Sequence, residues 1–158
     1  MSKITPCLWF EKEAEEAVNF YVSLLPDSRI DHVQKNVAEN PGGLPVDTVL
    51  MIEFTMGGTP FQALNGGVKM EYTHALSLSY SCRDQAELDR LWGGLSEGGQ
   101  IVECGWLTDR YSISWQIVPE ILPRLLADPD REKAARAMKA MLGMKKLDIA
   151  TLERAARG

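Results

Sequence analysis

ITPCLWFEKEAEEAVNFYVSLL, residues 4–25, reads as a strand followed by an amphipathic helix, and the same order returns at ALSLSYSCRDQAELDRLWGG, residues 75–94. In the first stretch residues 4–10 form the strand. Ala14, Ala17, Val18, Tyr21, Leu24 and Leu25 recur at helical spacing over residues 13–25. Glu13, Glu15 and Glu16 load the early turns near the positive end of the helix dipole, and Pro26-Asp27-Ser28 ends the helix because proline cannot continue the hydrogen-bond ladder. In the second stretch residues 75–80 form the strand, Ala86, Leu88, Leu91, Trp92 and Leu95 form the stripe of a helix over residues 84–94, and Gly98-Gly99 ends the unit. Strand-like segments follow each helix, at residues 29–34, 48–55 and 60–64, then at 100–103, 106–107 and 112–118. Leu8-Trp9-Phe10 answers Leu78-Ser79-Tyr80, Phe20-Tyr21 answers Leu91-Trp92, and Ile30 answers Ile101. The spacing predicts an α+β fold of two βαβββ modules, residues 1–67 and 72–119, with a helical C-terminal extension over 120–158. One such module is too small to bury both faces of its sheet, so the two are expected to pair around a shared hollow, where function is sought.

At 158 residues the chain fits one compact domain, and its apolar share of 45% and charged share of 25% are ordinary for a globular protein. A formal charge of −5 without a basic run argues against a nucleic-acid or anionic-membrane partner. No apolar run approaches the roughly 18 residues that span a bilayer, and the N-terminus lacks a signal-peptide core. Cys7, Cys82 and Cys104 are odd in number and lack metal-type spacing, which suits reduced thiols in a cytoplasmic compartment.

Strand alternation sorts side chains between faces. Leu8 and Phe10 are expected under the first helix, leaving Thr5, Cys7 and Trp9 toward the hollow. Leu76, Leu78 and Tyr80 are expected under the second, leaving Ala75, Ser77 and Ser79 inward. Gln62 and Leu64 share a face after the Gly57-Gly58 turn. On the last strand Ile113, Trp115 and Ile117 form the apolar side, placing Ser112, Ser114 and Gln116 opposite. The inward set is mildly polar and offers no obvious acid or base.

Several stretches together resemble the PhnB-like branch of the vicinal oxygen chelate (glyoxalase/bleomycin resistance/dioxygenase) superfamily, often labelled a 3-demethylubiquinone-9 3-methyltransferase domain. They are residues 5–10 (TPCLWF) with Ala14-Glu15-Glu16-Ala17 and Phe20-Tyr21, residues 61–67 (FQALNGG), residues 104–111 (CGWLTDRY), residues 114–119 (SWQIVP), and the tail from Asp128-Pro129-Asp130 to residues 144–149 (MKKLDI). The resemblance implies paired βαβββ modules forming a cupped mixed sheet (the glyoxalase/vicinal oxygen chelate fold), usually as a homodimer. Most members of the superfamily hold a divalent metal on the first and last strands of each module, where it acts as a Lewis acid on vicinal oxygens of a substrate. Those positions fall near Thr5, Gln62, Ala75 and Gln116, within about one residue. Threonine, alanine and neutral amides do not supply the imidazole or anionic ligands of a tight site, so the expectation is no cofactor beyond a weakly held divalent ion. Where the branch usually has glycine this chain has Ser112, which questions a special backbone angle there.

The expected ligand pocket comprises Gln62, Gln116, Cys7, Trp9, Ser77, Ser79, Ser114 and Trp106. His74, one register step from a ligand position, is expected to point away from the hollow, and His32, beside Asp31 on an edge strand, is a weaker candidate. Cys7 and Cys104 lack a predicted histidine partner and read as structural. Trp106 and Asp109 either line the mouth or serve as core and turn. The loop over residues 36–46 reads as a lid or an ordinary connection. In the tail, a helix capped by Asp128-Pro129 and closed by Gly143 carries the stripe Ala134, Ala135, Met138, Met141 and Leu142, and a shorter helix follows Asp148. None of the Gly-Gly pairs makes a nucleotide-type strand-to-helix loop, so the methyltransferase label finds no motif. Three readings stand: a protein binding an unidentified small molecule without a tight metal, an enzyme acting on a small oxygen-rich or aromatic substrate through a weak metal, and a structural or regulatory dimer with a vestigial pocket.

Overall fold

The computed structural model describes residues 3–158, and the chain divides into two compact units, Met1–Glu71 and Tyr72–Gly158. The first runs β1 (Cys7–Phe10), α1 (Ala14–Leu24), β2 (Arg29–Lys35), β3 (Val49–Met56) and β4 (Thr59–Asn65). The second runs β5 (Leu78–Cys82), α2 (Gln85–Ser96), β6 (Gln100–Ile101), β7 (Trp106–Thr108) and β8 (Ser114–Pro119), followed by α3 (Ile121–Leu126), α4 (Arg131–Leu142) and α5 (Ile149–Arg157). The two sheets have the same construction, β1-β4-β3-β2 and β5-β8-β7-β6. In each the first strand lies parallel to the last, and the remaining pairs are antiparallel. The duplicated α+β order expected from the sequence is therefore present. Among the described residues no helix is long and apolar enough to cross a membrane.

The strand register corrects the residue-by-residue match between the repeats. Cys7 pairs with Gln62 and Phe10 with Asn65, while Ser79 pairs with Gln116 and Cys82 with Pro119. Leu8 thus answers Tyr80, two residues beyond the Leu78 suggested by identity. A shift of two keeps every side chain on its face, which is why alternation alone could not detect it.

In the first unit Ile52, Phe54 and Met56 of β3, Phe61 and Ala63 of β4, and Leu8 and Phe10 of β1 are buried on the side that α1 covers with Ala14, Ala17, Val18 and Tyr21. Glu13 makes no side-chain cap for α1. The buried Asn65 does so from β4: its Oδ1 accepts the Ala14 N–H at 2.9 Å while its Nδ2 donates to the Val49 carbonyl at 2.9 Å. One amide satisfies an orphan helix donor and a strand carbonyl together. The loop over residues 36–46 is pinned within its own unit. Buried Asn36 donates to the carbonyls of Leu44 (2.9 Å) and Pro45 (3.3 Å), and Gly42 packs so closely on Gly66-Gly67 that neither could carry a Cβ.

In the second unit α2 lays Leu88, Leu91, Trp92 and Leu95 on Trp115 and Ile117 of β8 and Leu107 of β7. Burying each large apolar side chain is worth about 1.5–3 kcal/mol, so this helix–sheet face dominates the unit's stability. Asp84 caps α2 by accepting from the Glu87 N–H at 2.8 Å, and Glu87 returns the bond one residue earlier, accepting from the Arg83 N–H at 2.8 Å. Burial pushes the Glu87 carboxyl up, but the bonds from the Arg83 backbone, the Tyr80 hydroxyl and the Arg83 side chain outweigh it and leave the group below its usual range.

The C-terminal extension packs in cis on this unit. The Cys104 and Gly105 N–H groups donate to the Met144 and Lys145 carbonyls at 2.8 and 2.7 Å, and Leu147 is fully buried against Gly105. The Gln85 side chain clamps the same segment, donating to the Leu147 carbonyl (3.1 Å) and accepting from the Ile149 N–H (2.9 Å). Three expectations for the tail are corrected. The cap of α4 is Asp130, which accepts from Glu132 and Lys133 N–H groups, while Asp128 accepts from Asp130 and pairs with Lys133. The helix α3 was missed, although Leu122 and Leu125 bury at helical spacing; Pro123 sits in its first turn, where a lost N–H costs nothing. Finally, the buried position of α4 is Ala137, whereas Ala135, Met138 and Leu142 face outward. Arg136 beside it reaches α5 and donates to the Ala155 and Ala156 carbonyls at 3.1 and 2.8 Å. The last-turn carbonyls of α5, rather than an apolar surface, decide which way α4 turns.

Candidate functional site

The uncovered face of the first sheet carries Cys7 and Trp9 on β1, Gln62 and Leu64 on β4, and Met51 and Glu53 on β3. Register sets Cys7, Gln62, Glu53 and His32 in one cross-strand row. Trp9 is committed locally: its indole N–H donates to the Val68 carbonyl at 2.7 Å and its ring lies flat over Gly66, where a Cβ would fall 1.9 Å from the indole. Gly66 therefore has to be glycine for Trp9 to lie down. Desolvation pushes the Cys7 thiol up, away from the thiolate that nucleophilic or metal chemistry uses.

The uncovered face of the second sheet carries Ser79, Gln116, Trp106, Thr108 and Ser114, as alternation predicted for β8. Gln116 Nε2 donates to the Ser77 hydroxyl at 3.0 Å. His74 departs from expectation. Its Nδ1 lies 2.9 Å from the Ser114 hydroxyl, and its ring stands edge-on to Trp106 with centroids 6.1 Å apart. It therefore joins the polar face rather than turning from it. The cause is the start of β5 at Leu78: residues 74–77 are turn and irregular backbone, Leu76 is 76% exposed, and alternation cannot be extended back to His74.

A cavity of about 390 Å³ opens beside this pair. Tyr72, Thr73 and His74 form one wall, Gly98, Gly99 and Gln100 another, and Thr108, Asp109, Arg110, Ser112 and Ser114 the third. Gly99 builds its floor: a Cβ there would fall 2.0 Å from the Thr108 carbonyl, so only glycine lets the end of α2 approach β7. Asp109 is buried and spent on structure. Its Oδ1 accepts the Tyr111 and Ile113 N–H groups at 2.8 and 3.1 Å, and its Oδ2 accepts the Trp115 indole N–H at 2.9 Å. Ser112 has φ 67, so the left-handed angle suited to glycine is kept with serine in place. Of the eight residues expected to line a pocket, Ser114 lines this cavity. Gln116, Ser77, Ser79 and Trp106 lie on the same unit, and Cys7, Trp9 and Gln62 belong to the first. His74, expected to point away, and Thr108 and Arg110, not among the expected lining, also border this cavity, and a short sequence signal was available for the last two in the Thr108-Asp109-Arg110 turn.

The donor chemistry does not fit a catalytic metal. By register Cys7 stands beside Gln62 and Ser79 beside Gln116, and the Ser77 hydroxyl takes the Gln116 side-chain bond. These are neutral hydroxyls, amides and a protonated thiol. Among the described residues no three His, Cys, Asp or Glu side chains are placed to hold an ion.

A βαβββ order built twice, each time as a four-stranded mixed sheet covered by a helix, makes this an α+β fold. The chain belongs to the PhnB-like 3-demethylubiquinone-9 3-methyltransferase family, whose model matches residues 2–118. A PhnB protein from Bacillus cereus is 34% identical with a TM-score of 0.66, the match covering 75% of this chain and 99% of that one. A protein from Pseudomonas aeruginosa shares the fold at 22% identity and a TM-score of 0.61, covering 76% of this chain and 98% of the other. No curated protein matches the chain. The family match stops before α3, so the extension that buries Leu147 lies outside it.

Proposed function

We propose that this protein binds a small polar molecule on the uncovered face of its second unit, without a tightly held catalytic metal. The observation carrying this reading is the pairing of the buried Ser114 hydroxyl with the exposed His74 ring at the wall of a cavity of ligand size. A solvated surface histidine has no need of a buried hydroxyl partner; here one holds the ring at the cavity. The polar groups of Gln116, Ser77 and Ser79 on the same unit belong to this proposal, as do a homodimeric assembly and a cytoplasmic setting. Methyl transfer, which the family description names, finds no support in the glycine pairs. Gly57-Gly58 turns β3 into β4, Gly66-Gly67 follows β4, Gly93-Gly94 lies inside α2 and Gly98-Gly99 follows it. None bridges a buried strand to a helix start as a nucleotide site requires.

A hydroxyl against an imidazole nitrogen is also the contact of an activated serine. Against that reading, among the described residues no carboxylate is hydrogen-bonded to His74, and Asp109 is occupied elsewhere. Metal analysis of purified protein followed by a thermal-shift screen of metabolites, with and without EDTA, tests the proposal. A ligand-induced rise in Tm that survives EDTA is expected. Stoichiometric zinc, nickel or iron whose removal abolishes every response would replace binding with metal-dependent catalysis.

A further inference from the structure

Resting on that reading, we propose that the cavity of the second unit is an anion site, its occupant a small molecule bearing a carboxylate or phosphate held by Arg110 and His74. The lining includes an imidazole, a carboxylate and a guanidinium, from His74, Asp109 and Arg110. Asp109 is removed from the contest, since three fixed N–H donors already engage both its oxygens. What remains is a guanidinium, an imidazole and hydroxyl donors such as Thr108 and Ser112. The Ser114 contact at Nδ1 orients the imidazole. With Ser114 donating to it, or with the ring protonated, Nε2–H is left as a donor for a ligand oxygen.

Arg110 is held at the rim by Glu97, Nη2 to Oε2, at 3.5 Å, and the Glu97 side chain is 79% exposed. Exposed pairs of this kind are worth about 0–1 kcal/mol. A carboxylate or phosphate taking the guanidinium in a two-point contact is stronger, so it displaces Glu97. The chain's net charge of −5 opposes an anion at long range, so the selection is made by these local donors.

Amide NMR titration of the full chain with benzoate, its neutral isostere benzamide, and inorganic phosphate tests the assignment. Benzoate or phosphate is expected to shift the His74, Thr108 and Ser114 resonances, with benzamide at least ten-fold weaker. A response to benzoate alone assigns a carboxylate, to phosphate alone a phosphate, and to both the anion class. Arg110→Gln should weaken anion binding at least ten-fold at unchanged Tm. Glu97→Gln, by removing the competing carboxylate, should tighten it about two- to five-fold, the equivalent of an exposed pair. If Arg110→Gln lowers Tm, Arg110→Lys serves instead and should weaken binding several-fold by losing the fork. Equal binding of benzamide and benzoate at these residues would overturn the anion assignment while leaving small-molecule binding intact. So would an affinity indifferent to the folded Arg110 variants. No shift from any of the three probes overturns the anion site, and an empty metabolite screen beside it would remove the binding reading as well.

Discussion

Asp109 shows how one side chain can settle several questions at once. It holds the Tyr111 and Ile113 backbone into a turn and anchors the indole of the buried Trp115, so its own carboxylate is committed to the protein rather than to the adjoining cavity. Replacing it with alanine strands three donors, two of them in buried surroundings, each costing about 1–3 kcal/mol when unsatisfied. Asp109→Ala should therefore lose about 3–5 kcal/mol in urea denaturation. A loss below 1 kcal/mol would mean that water or a neighbour replaces the carboxylate. Ser112 makes the complementary point. The glycine-to-serine departure put a special backbone angle at this position in doubt, yet the turn pinned by Asp109 holds Ser112 at φ 67. The surrounding bonds over-determine the backbone, and the residue carries the strain.

Among elements, the segment joining α4 to α5 matters more than its lack of regular structure suggests. It places Leu147 in the core, adds backbone bonds to Cys104 and Gly105, and receives both ends of the Gln85 amide. Leu147→Ala should cost about 2–5 kcal/mol through the cavity it leaves, whereas Leu142→Ala, on the exposed face of α4, should stay within about 0.5 kcal/mol. Equal, small effects for both substitutions would show that the extension is not integral to the second unit. The helix stripe drawn from hydrophobicity alone took in Ala134 and Met141, which are half-buried, together with Ala135, Met138 and Leu142, which are exposed. Alanine-rich helices give a weak apolar signal, and the orientation was decided by Arg136 seeking the carbonyls at the end of α5.

For the molecule as a whole, stability should form a plateau bounded by identifiable groups. On the acid side the Glu87 carboxyl, with Asp89, Asp128 and Asp148, is held below its usual range, so its stabilisation is present above the unfolded value near pH 4 and is lost as pH falls through the folded value. On the alkaline side burial pushes the Cys82 thiol up to about 12, and burial with the Glu87 bond pushes the Tyr80 hydroxyl up to about 12. Both contributions hold below the unfolded values and fade as pH rises through the folded ones. Tm should begin to fall above about pH 8.5, the ordinary thiol value, and the fall should be shallower in Cys82→Ala, with the raised Cys7 thiol still contributing to the onset. An unchanged slope would clear Cys82 of the role. Sequence by itself determined the duplicated strand–helix–strand order, the helix-covered faces and the polar character of the opposite faces, because apolar periodicity is written locally and each sheet must bury one side. Only the tertiary structure decided the pairing of Cys7 with Gln62 and Ser79 with Gln116, the remote cap from Asn65, and the meeting of His74 with Ser114 across forty residues of chain. Register slips of two residues preserve every local pattern, and a histidine ahead of a strand has no alternation to direct it, so these contacts are chosen by the folded backbone alone.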